Sequence, residues 1–158
     1  MAIVQKIAPC LWFDHQAEEA ANYYVSIFKN SGIDEIARYG KEGFEIHQRP
    51  TGSVMTVTFR LERQKFIALN GGPRFKFNEA VSFVIDCKDQ EEVDYYWSKL
   101  TANGGVESQC GWLKDKFGLS WQVVPGRIGE LVSHPKAMQA MMGMKKLSIA
   151  ELEQAAKS

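Results

Sequence analysis

Cysteine is scarce and badly placed for pairing. Cys10, Cys87 and Cys110 are odd in number, widely spaced and without a CxxC pattern. That excludes a disulfide framework and a zinc knuckle, and points to reduced thiols in a cytosolic protein. Histidine is equally thin: His15, His47 and His134, none of them in a segment that reads as a core strand. No stretch approaches the roughly 20 apolar residues that a membrane span needs. Residues 1–6 (MAIVQK) carry neither a long apolar run nor a small-residue cleavage site, so no secretory signal is expected. Net charge is missing too. Nineteen basic residues balance nineteen acidic ones, so no global field draws the chain to nucleic acid or to an anionic membrane. Lys145-Lys146 is only a pair. What is left is a globular composition in a length that suits one domain, or two half-size units sharing a core.

The chain does contain an echo. FDHQAEEAANYYVSIF (residues 13–28) aligns without a gap with IDCKDQEEVDYYWSKL (residues 85–100), at an offset of 72 residues. Asp14 meets Asp86, Glu19 meets Glu91, Tyr23-Tyr24 meet Tyr95-Tyr96, Ser26 meets Ser98, and further on Gly32 meets Gly104. The order of elements around the two copies repeats as well. In the first unit, an apolar strand over 7–13 precedes a helix whose apolar residues Ala17, Ala20, Ala21, Tyr24, Ile27 and Phe28 recur every three or four positions. Asn30-Ser31-Gly32 stops that helix. Strands follow over 33–39, 53–61 and 65–70, the second with clean alternation, and 40–52 reads as a loop. In the second unit a strand over 80–87 leads to a helix opened by a capping box, Asp89 with Glu92, and closed by Gly104-Gly105. Strand candidates at 106–109, 111–114 and 119–124 complete it. Each unit reads βαβββ. Two such units, each with a curved sheet unable to bury its concave face alone, would pair around one cleft.

Asn70-Gly71-Gly72-Pro73 is a breaker cluster and marks the linker, which runs on through Arg74-Phe75-Lys76-Phe77. The organisation expected is a single α+β domain: module one over about 5–72, module two over about 78–125, and a helical tail over 126–158. In the tail, Pro135 suits the first turn of a helix, and Ser148 with Glu151 forms a capping box for a last helix over 149–157. Met138, Met141, Met142 and Met144 crowd the tail; such a helix either covers the core's edge or offers an adaptable surface to a partner.

Several blocks together carry a family resemblance. They are Ala8-Pro-Cys-Leu-Trp-Phe13 with the Ala/Glu-rich helix behind it, Leu69-Asn-Gly-Gly-Pro73 with Phe75-Lys-Phe77, Glu91-Glu-Val-Asp-Tyr-Tyr-Trp97, and CGWLKDKFGLSWQVVP (residues 110–125). The chain resembles the PhnB-like, 3-demethylubiquinone 3-methyltransferase-like group of the vicinal oxygen chelate superfamily. That superfamily also holds glyoxalase I, bleomycin-resistance proteins and extradiol dioxygenases. The resemblance covers nearly the whole chain. It implies a glyoxalase-like fold of two βαβββ modules forming curved sheets around a cleft, and a homodimer.

The resemblance also implies a divalent metal in that cleft, held by His, Glu or Gln from the first and last strands of both modules. Such an ion binds neighbouring substrate oxygens and stabilises the developing oxyanion. Carried over strand by strand, the positions fall at Ala8 or Pro9, at Ala68, at Ser82 with Val81 beside it, and at Gln122. One amide and one hydroxyl hold a divalent ion poorly, so no bound metal and no cofactor are expected. Methyl transfer is not expected either, because Gly71-Gly72-Pro73 is too short for a cofactor loop and leads into a basic-aromatic segment.

By strand alternation, Gln122 brings Ser120 and Val124 to the inward face, Ala8 brings Cys10 and Trp12, and Ala68 brings Phe66 and Asn70. The candidate ligand-binding residues are therefore Trp12, Phe66, Asn70, Ser82, Ser120 and Gln122, in a pocket of apolar and aromatic surface with a few amides and hydroxyls. The function expected is binding of a small, apolar or aromatic molecule without a catalytic metal. The alternatives are a metal-dependent lyase, isomerase or dioxygenase that recruits His47, and an interaction protein that uses the Met-rich tail. Catalytic residues are not identified. The cysteines read as structural thiols and the histidines as solvated ones.

Overall fold

The computed structural model describes residues 5–158, and the chain divides into two compact units, residues 1–76 and 77–158. In the first, the order is β1 (Cys10–Phe13), α1 (Ala17–Ile27), β2 (Gly32–Arg38), α2 (Phe44–His47), β3 (Val54–Leu61) and β4 (Gln64–Asn70). The sheet order is β1-β4-β3-β2, with β1 parallel to β4 and the other pairs antiparallel. The expected strands and helix are all present. The short α2, inside the stretch read as a loop, was not anticipated.

The apolar stripe of α1 explains the core of this unit. Ala17, Ala20, Ala21, Tyr24 and Ile27 are buried, the small residues letting the helix lie close to the sheet. Opposite them, Leu11, Phe13, Val57, Phe59, Phe66 and Ala68 are buried in turn. Tyr24, Phe59 and Phe66 form a ladder of stacked rings with centroids 6.3 and 5.5 Å apart. No side chain at the helix's own Gln16 caps α1. Asn70, at the end of β4, does so from 53 residues away: its Oδ1 accepts from the Ala17 N–H at 2.8 Å.

The second unit repeats the plan: β5 (Ser82–Cys87), α3 (Gln90–Thr101), a 3-10 turn (Ala102–Gly104), β6 (Val106–Glu107), β7 (Trp112–Lys114) and β8 (Ser120–Pro125). Its sheet order, β5-β8-β7-β6, matches that of the first sheet, with β5 parallel to β8. Val93, Tyr96, Trp97 and Leu100 of α3 are buried, so the doubled Tyr-Tyr places Tyr24 and Tyr96 at equivalent core positions. The capping box forms: Asp89 accepts from the Glu92 N–H at 2.9 Å, and Glu92 Oε1 accepts from the Lys88 N–H at 3.2 Å. Gly32 and Gly104 are not equivalent, since Gly104 has φ +110° while Gly32 opens β2.

The tail belongs to this second unit. It forms α4 (Ile128–Leu131), α5 (Pro135–Met142) and α6 (Ile149–Lys157). Leu131, Leu147 and Leu152 bury themselves on Val124, with Met141 and Met144 packed around them, while Met138 and Met142 stay exposed. Backbone bonds fasten the connection: the Cys110 and Gly111 N–H groups donate to Met144 O and Lys145 O, each at 2.8 Å. Gly111 holds φ +85°, and a Cβ there would stand 2.9 Å from Val123 O, so this close approach requires glycine. Gln90 completes the attachment, donating to Leu147 O and accepting from the Ile149 N–H. Among the described residues, no helix is long and apolar enough to cross a membrane.

Candidate functional site

Each sheet has one face against its own helix and one face turned away from it, and strand registers sort the side chains between them. In the first unit, Cys10 pairs with Ile67 and Trp12 with Leu69, while Thr58 pairs with Ile67 and Thr56 with Leu69. The face away from α1 therefore carries two rows, Cys10–Ile67–Thr58 and Trp12–Leu69–Thr56. In the second unit, Ser82 pairs with Ser120, and Ser120 with Lys114; Val84 pairs with Gln122, and Gln122 with Trp112. The corresponding rows are Ser82–Ser120–Lys114 and Val84–Gln122–Trp112. The first face is apolar with threonines at one end. The second is polar.

Four of the six candidate ligand-binding residues, Trp12, Ser82, Ser120 and Gln122, lie on these open faces. Two do not. Phe66 and Asn70 alternate with Ile67 and Leu69 and are buried on the α1 side. Phe66 stacks in the ring ladder. Asn70, besides capping α1, donates from Nδ2 to Val54 O at 3.1 Å, and its carbonyl accepts from the Tyr39 hydroxyl at 2.5 Å. Its side chain is spent on structure. The same alternation corrects the positions compared with a metal site. Ala68 is fully buried on the helix side, and Ala8 and Pro9 precede β1. By register, the counterparts of Ser82 and Gln122 are Cys10 and Leu69.

Ser82 and Gln122 touch. Gln122 Nε2 donates to Ser82 Oγ at 3.0 Å, which leaves the serine proton available as a donor. Beside them, Ser120 is 1 % exposed, and its hydroxyl is buried without a hydrogen-bond partner among the described residues. Across that end of the sheet lies a cavity of about 310 Å3, lined among others by Ser120, Lys114, Trp112, Val106, Glu79 and Glu107. Lys114 Nζ is ion-paired with Glu79, and its hydrogen bond holds the Glu79 carboxyl below the ordinary carboxylate range. Glu107 is turned to the helix side, where its Oε1 accepts from Trp97 Nε1 at 2.6 Å.

The residues from 5 to 124 match the 3-demethylubiquinone-9 3-methyltransferase family. The solved PhnB protein from Bacillus cereus shares 34% identity, with 77% of this chain and 99% of that one covered, at a TM-score of 0.67. This chain belongs to that family. A Pseudomonas aeruginosa protein matches at 17% identity over 76% of this chain and 96% of its own, with a TM-score of 0.58. The genomically encoded fosfomycin resistance protein of Listeria monocytogenes matches at 17% identity over 82% and 97%, with a TM-score of 0.52. These two likenesses show the fold alone, the glyoxalase-like α+β arrangement. No curated protein matches the sequence.

Within the family frame, the remaining conspicuous residues resolve into structure. Gly71 exists because the Trp12 indole lies against it; a Cβ there would meet the ring at 2.2 Å. Trp12 Nε1 donates to Gly72 O at 2.9 Å, and the ring meets Phe75 edge-on at 4.9 Å. Arg49 Nη2 donates to Asp14 O at 2.7 Å across the same turn. His47 is held at both ring nitrogens, Nδ1 accepting from the Arg49 N–H at 2.8 Å and Nε2 lying 3.1 Å from Glu42 O. With Nδ1 accepting, Nε2 is the ring nitrogen placed to donate to Glu42 O. His15, by contrast, is exposed beside Asp14.

A second cavity, about 470 Å3, lies at the ends of β5 and β8 under α6. Cys87 is on its lining, and burial, reinforced by the Glu92, Asp86 and Asp89 carboxylates, pushes that thiol up to about 12. A neutral thiol of this kind is a poor nucleophile. Burial raises the Cys10 thiol too. Among the described residues, no group of three His, Cys, Asp or Glu side chains is placed to hold a metal ion.

Sequence reasoning missed Asp115, which is 2 % exposed. Its Oδ1 accepts from the Phe117 and Leu119 N–H groups at 2.8 and 3.1 Å, and its Oδ2 accepts from Trp121 Nε1 at 2.9 Å. The Asp-x-x-Gly turn with a tryptophan six residues on was the available signal. Lys114, Trp112 and Glu79 were missed because only the register of the short β7 brings them beside Ser120.

Proposed function

We propose that this protein binds a small organic molecule on the open face of its β5–β8–β7 sheet and does so without a resident catalytic metal. The observation that carries the reading is the Ser82–Gln122 hydrogen bond, lying beside the unpartnered Ser120 hydroxyl and a cavity of about 310 Å3. A buried hydroxyl without a partner costs on the order of 1–3 kcal/mol, and an arriving ligand group offsets that cost. Around it, Trp112, Val84 and Val106 offer apolar surface, the mixture usual in ligand pockets.

The donor set argues against the superfamily's metal chemistry here. The positions equivalent by register offer one thiol whose pKa partial burial raises rather than lowers, one hydroxyl, one amide and a leucine. None carries negative charge or an imidazole lone pair, and divalent ions bind weakly to such sets. His47 does not supply the missing ligand, since its acceptor nitrogen already takes the Arg49 N–H. Methyl transfer, which the family's description names, lacks support in the residues: Gly71-Gly72 are packed against Trp12 and Arg49 and lead into Pro73 and Phe75 rather than into a helix. The reading is of a homodimer, as the sequence resemblance implied, in the cytosol, as the odd number and wide spacing of the cysteines implied.

Thermal melts test it. Zinc, nickel, manganese and ferrous ions are expected to leave the melting temperature unchanged, because a ligand stabilises only if it binds the native state. Members of a panel of small aromatic compounds are expected to raise it in the parent and not in Gln122→Ala. A metal-dependent rise, with near-stoichiometric metal in protein purified without chelator, would falsify the metal-free reading.

A further inference from the structure

Resting on the binding reading above, we infer that the ligand is a small carboxylic acid with an apolar or aromatic body, bound in place of Glu79. Every member of the cross-sheet row Ser82–Ser120–Lys114 has a proton to donate, and none carries negative charge. Ser120 Oγ–H is buried and unpartnered. Ser82, whose oxygen accepts from Gln122 Nε2, retains its proton to donate. Lys114 is an ammonium with three donors, one of them on Glu79. A row of two hydroxyls and a cation asks for an acceptor that carries negative charge.

The protein already supplies one such group. Glu79 lies just before β5, and its carboxylate pairs with Lys114 on the wall of the cavity. Glu79 is mostly exposed and Lys114 less so, so an exposed pair of this kind is worth little and exchanges readily. A ligand carboxylate that reaches both Lys114 and the buried Ser120 hydroxyl gains a bond that Glu79 does not make. The other carboxylate on the wall, Glu107, is held by Trp97 and stays clear of the row. The body of the ligand then lies along Trp112 and Val106, and the cavity of about 310 Å3 limits it to roughly the smallest drug-sized ligands. Glu79 thus stands in for the ligand and competes with it.

The experiment is a chemical-shift titration of the full chain with benzoate, and with benzamide as the uncharged isostere. Benzoate is expected to bind at least about tenfold more tightly than benzamide, a difference of about 1.4 kcal/mol. Lys114→Met should erase that preference, and Lys114→Arg should keep it. Ser120→Ala should weaken benzoate severalfold, and Glu79→Gln should tighten it. Melting temperatures of each variant show whether the fold is intact, and Lys114→Arg with Glu79→Gln carry the test if Lys114→Met does not fold. Benzamide binding as tightly as benzoate overturns the carboxylate inference and leaves the small-molecule reading standing. If neither compound shifts the Ser120, Gln122 and Trp112 signals, both fall. Weaker benzoate binding in Glu79→Gln overturns the displacement.

Discussion

Asn70 separates a structural reading from a functional one, because alternation counted from Ala68 made it a ligand-binding residue while the fold makes it a cap. Asn70→Ala removes two hydrogen bonds at once, one buried and one partly buried. The Ala17 N–H at the start of α1 loses its acceptor, and the Val54 carbonyl in β3 loses its donor. Loss of a cap costs about 0.5–2 kcal/mol, and loss of a second bond within the protein about 0.5–1.5 kcal/mol, so the expected destabilisation is roughly 1–3.5 kcal/mol. The bond from Tyr39 goes to the Asn70 backbone carbonyl and survives. For a chain of this size the melting temperature should fall by roughly 2–14 °C. Native-state hydrogen exchange should speed up first at the amides of the first turn of α1. Asn70→Asp should fall between, since a carboxylate still accepts from Ala17 but has nothing to donate to Val54. The assay pairs thermal melts with the benzoate titration. A variant that melts like the parent and has lost benzoate binding would refute the capping argument and restore Asn70 to the site.

Two further outcomes follow from the packing. Leu152→Ala, at a fully buried position between the tail helices and Val124, should cost about 2–5 kcal/mol by cavity formation, as read from urea denaturation; a change in oligomer state with unaltered stability would contradict the tail's place in the core of the second unit. Cys87 should resist iodoacetamide in the folded protein while the exposed Cys10 is labelled. Because the folded-state pKa of Cys87 is raised from 9.0 to about 12, its contribution to stability is complete below about pH 9 and is lost as the pH climbs towards 12. Cys87→Ala should flatten that alkaline decline, and labelling of Cys87 at neutral pH without unfolding would count against it.

Much of the fold was legible because local and tertiary signals agree in it. The two helices carry their apolar residues at helical spacing, Asp89 and Ser148 cap their helices by accepting from the Glu92 and Glu151 N–H groups as the spacing predicts, and Pro135 opens α5. The β3–β4 hairpin shows what local signals conceal. Its two-residue loop is Glu62-Arg63, with φ of +48° and +70°, the geometry that Asn-Gly usually supplies. Without that dipeptide, no turn signature marks the hairpin, and it is placed only by the limits of the strands read over 53–61 and 65–70. The helix α2 was hidden for a related reason. It is a single turn between two left-handed residues, Gly43 and Gln48, held by His47 through contacts with Tyr39 and Arg49 that no periodicity encodes.

The candidate site was half legible, and the error has one source. Alternation tells which residues share a face, but not which face is which; a displacement of one residue inverts a whole strand. In β8 the polar Ser120 and Gln122 alternate with Trp121 and Val123, so composition itself assigns the faces. In β4 the run Phe66-Ile67-Ala68-Leu69 is apolar on both sides, and the polar residue that ends the strand, Asn70, points into the core. It does so because α1 brings no cap of its own, whereas α3 brings Asp89. The duplication shows how the ambiguity could have been settled. Matching β1 to β5 at the 72-residue offset and then following the parallel pairings sets Leu69 opposite in role to Gln122, with no appeal to polarity. The same exercise shows how far the two modules have diverged where it matters for binding: Ile67 and Leu69 stand in the first where Ser120 and Gln122 stand in the second. On the proposed binding reading, the polar open rows of the second sheet would be the ones to confer specificity, and it is there that the register sets the Ser120 hydroxyl beside the Lys114 ammonium.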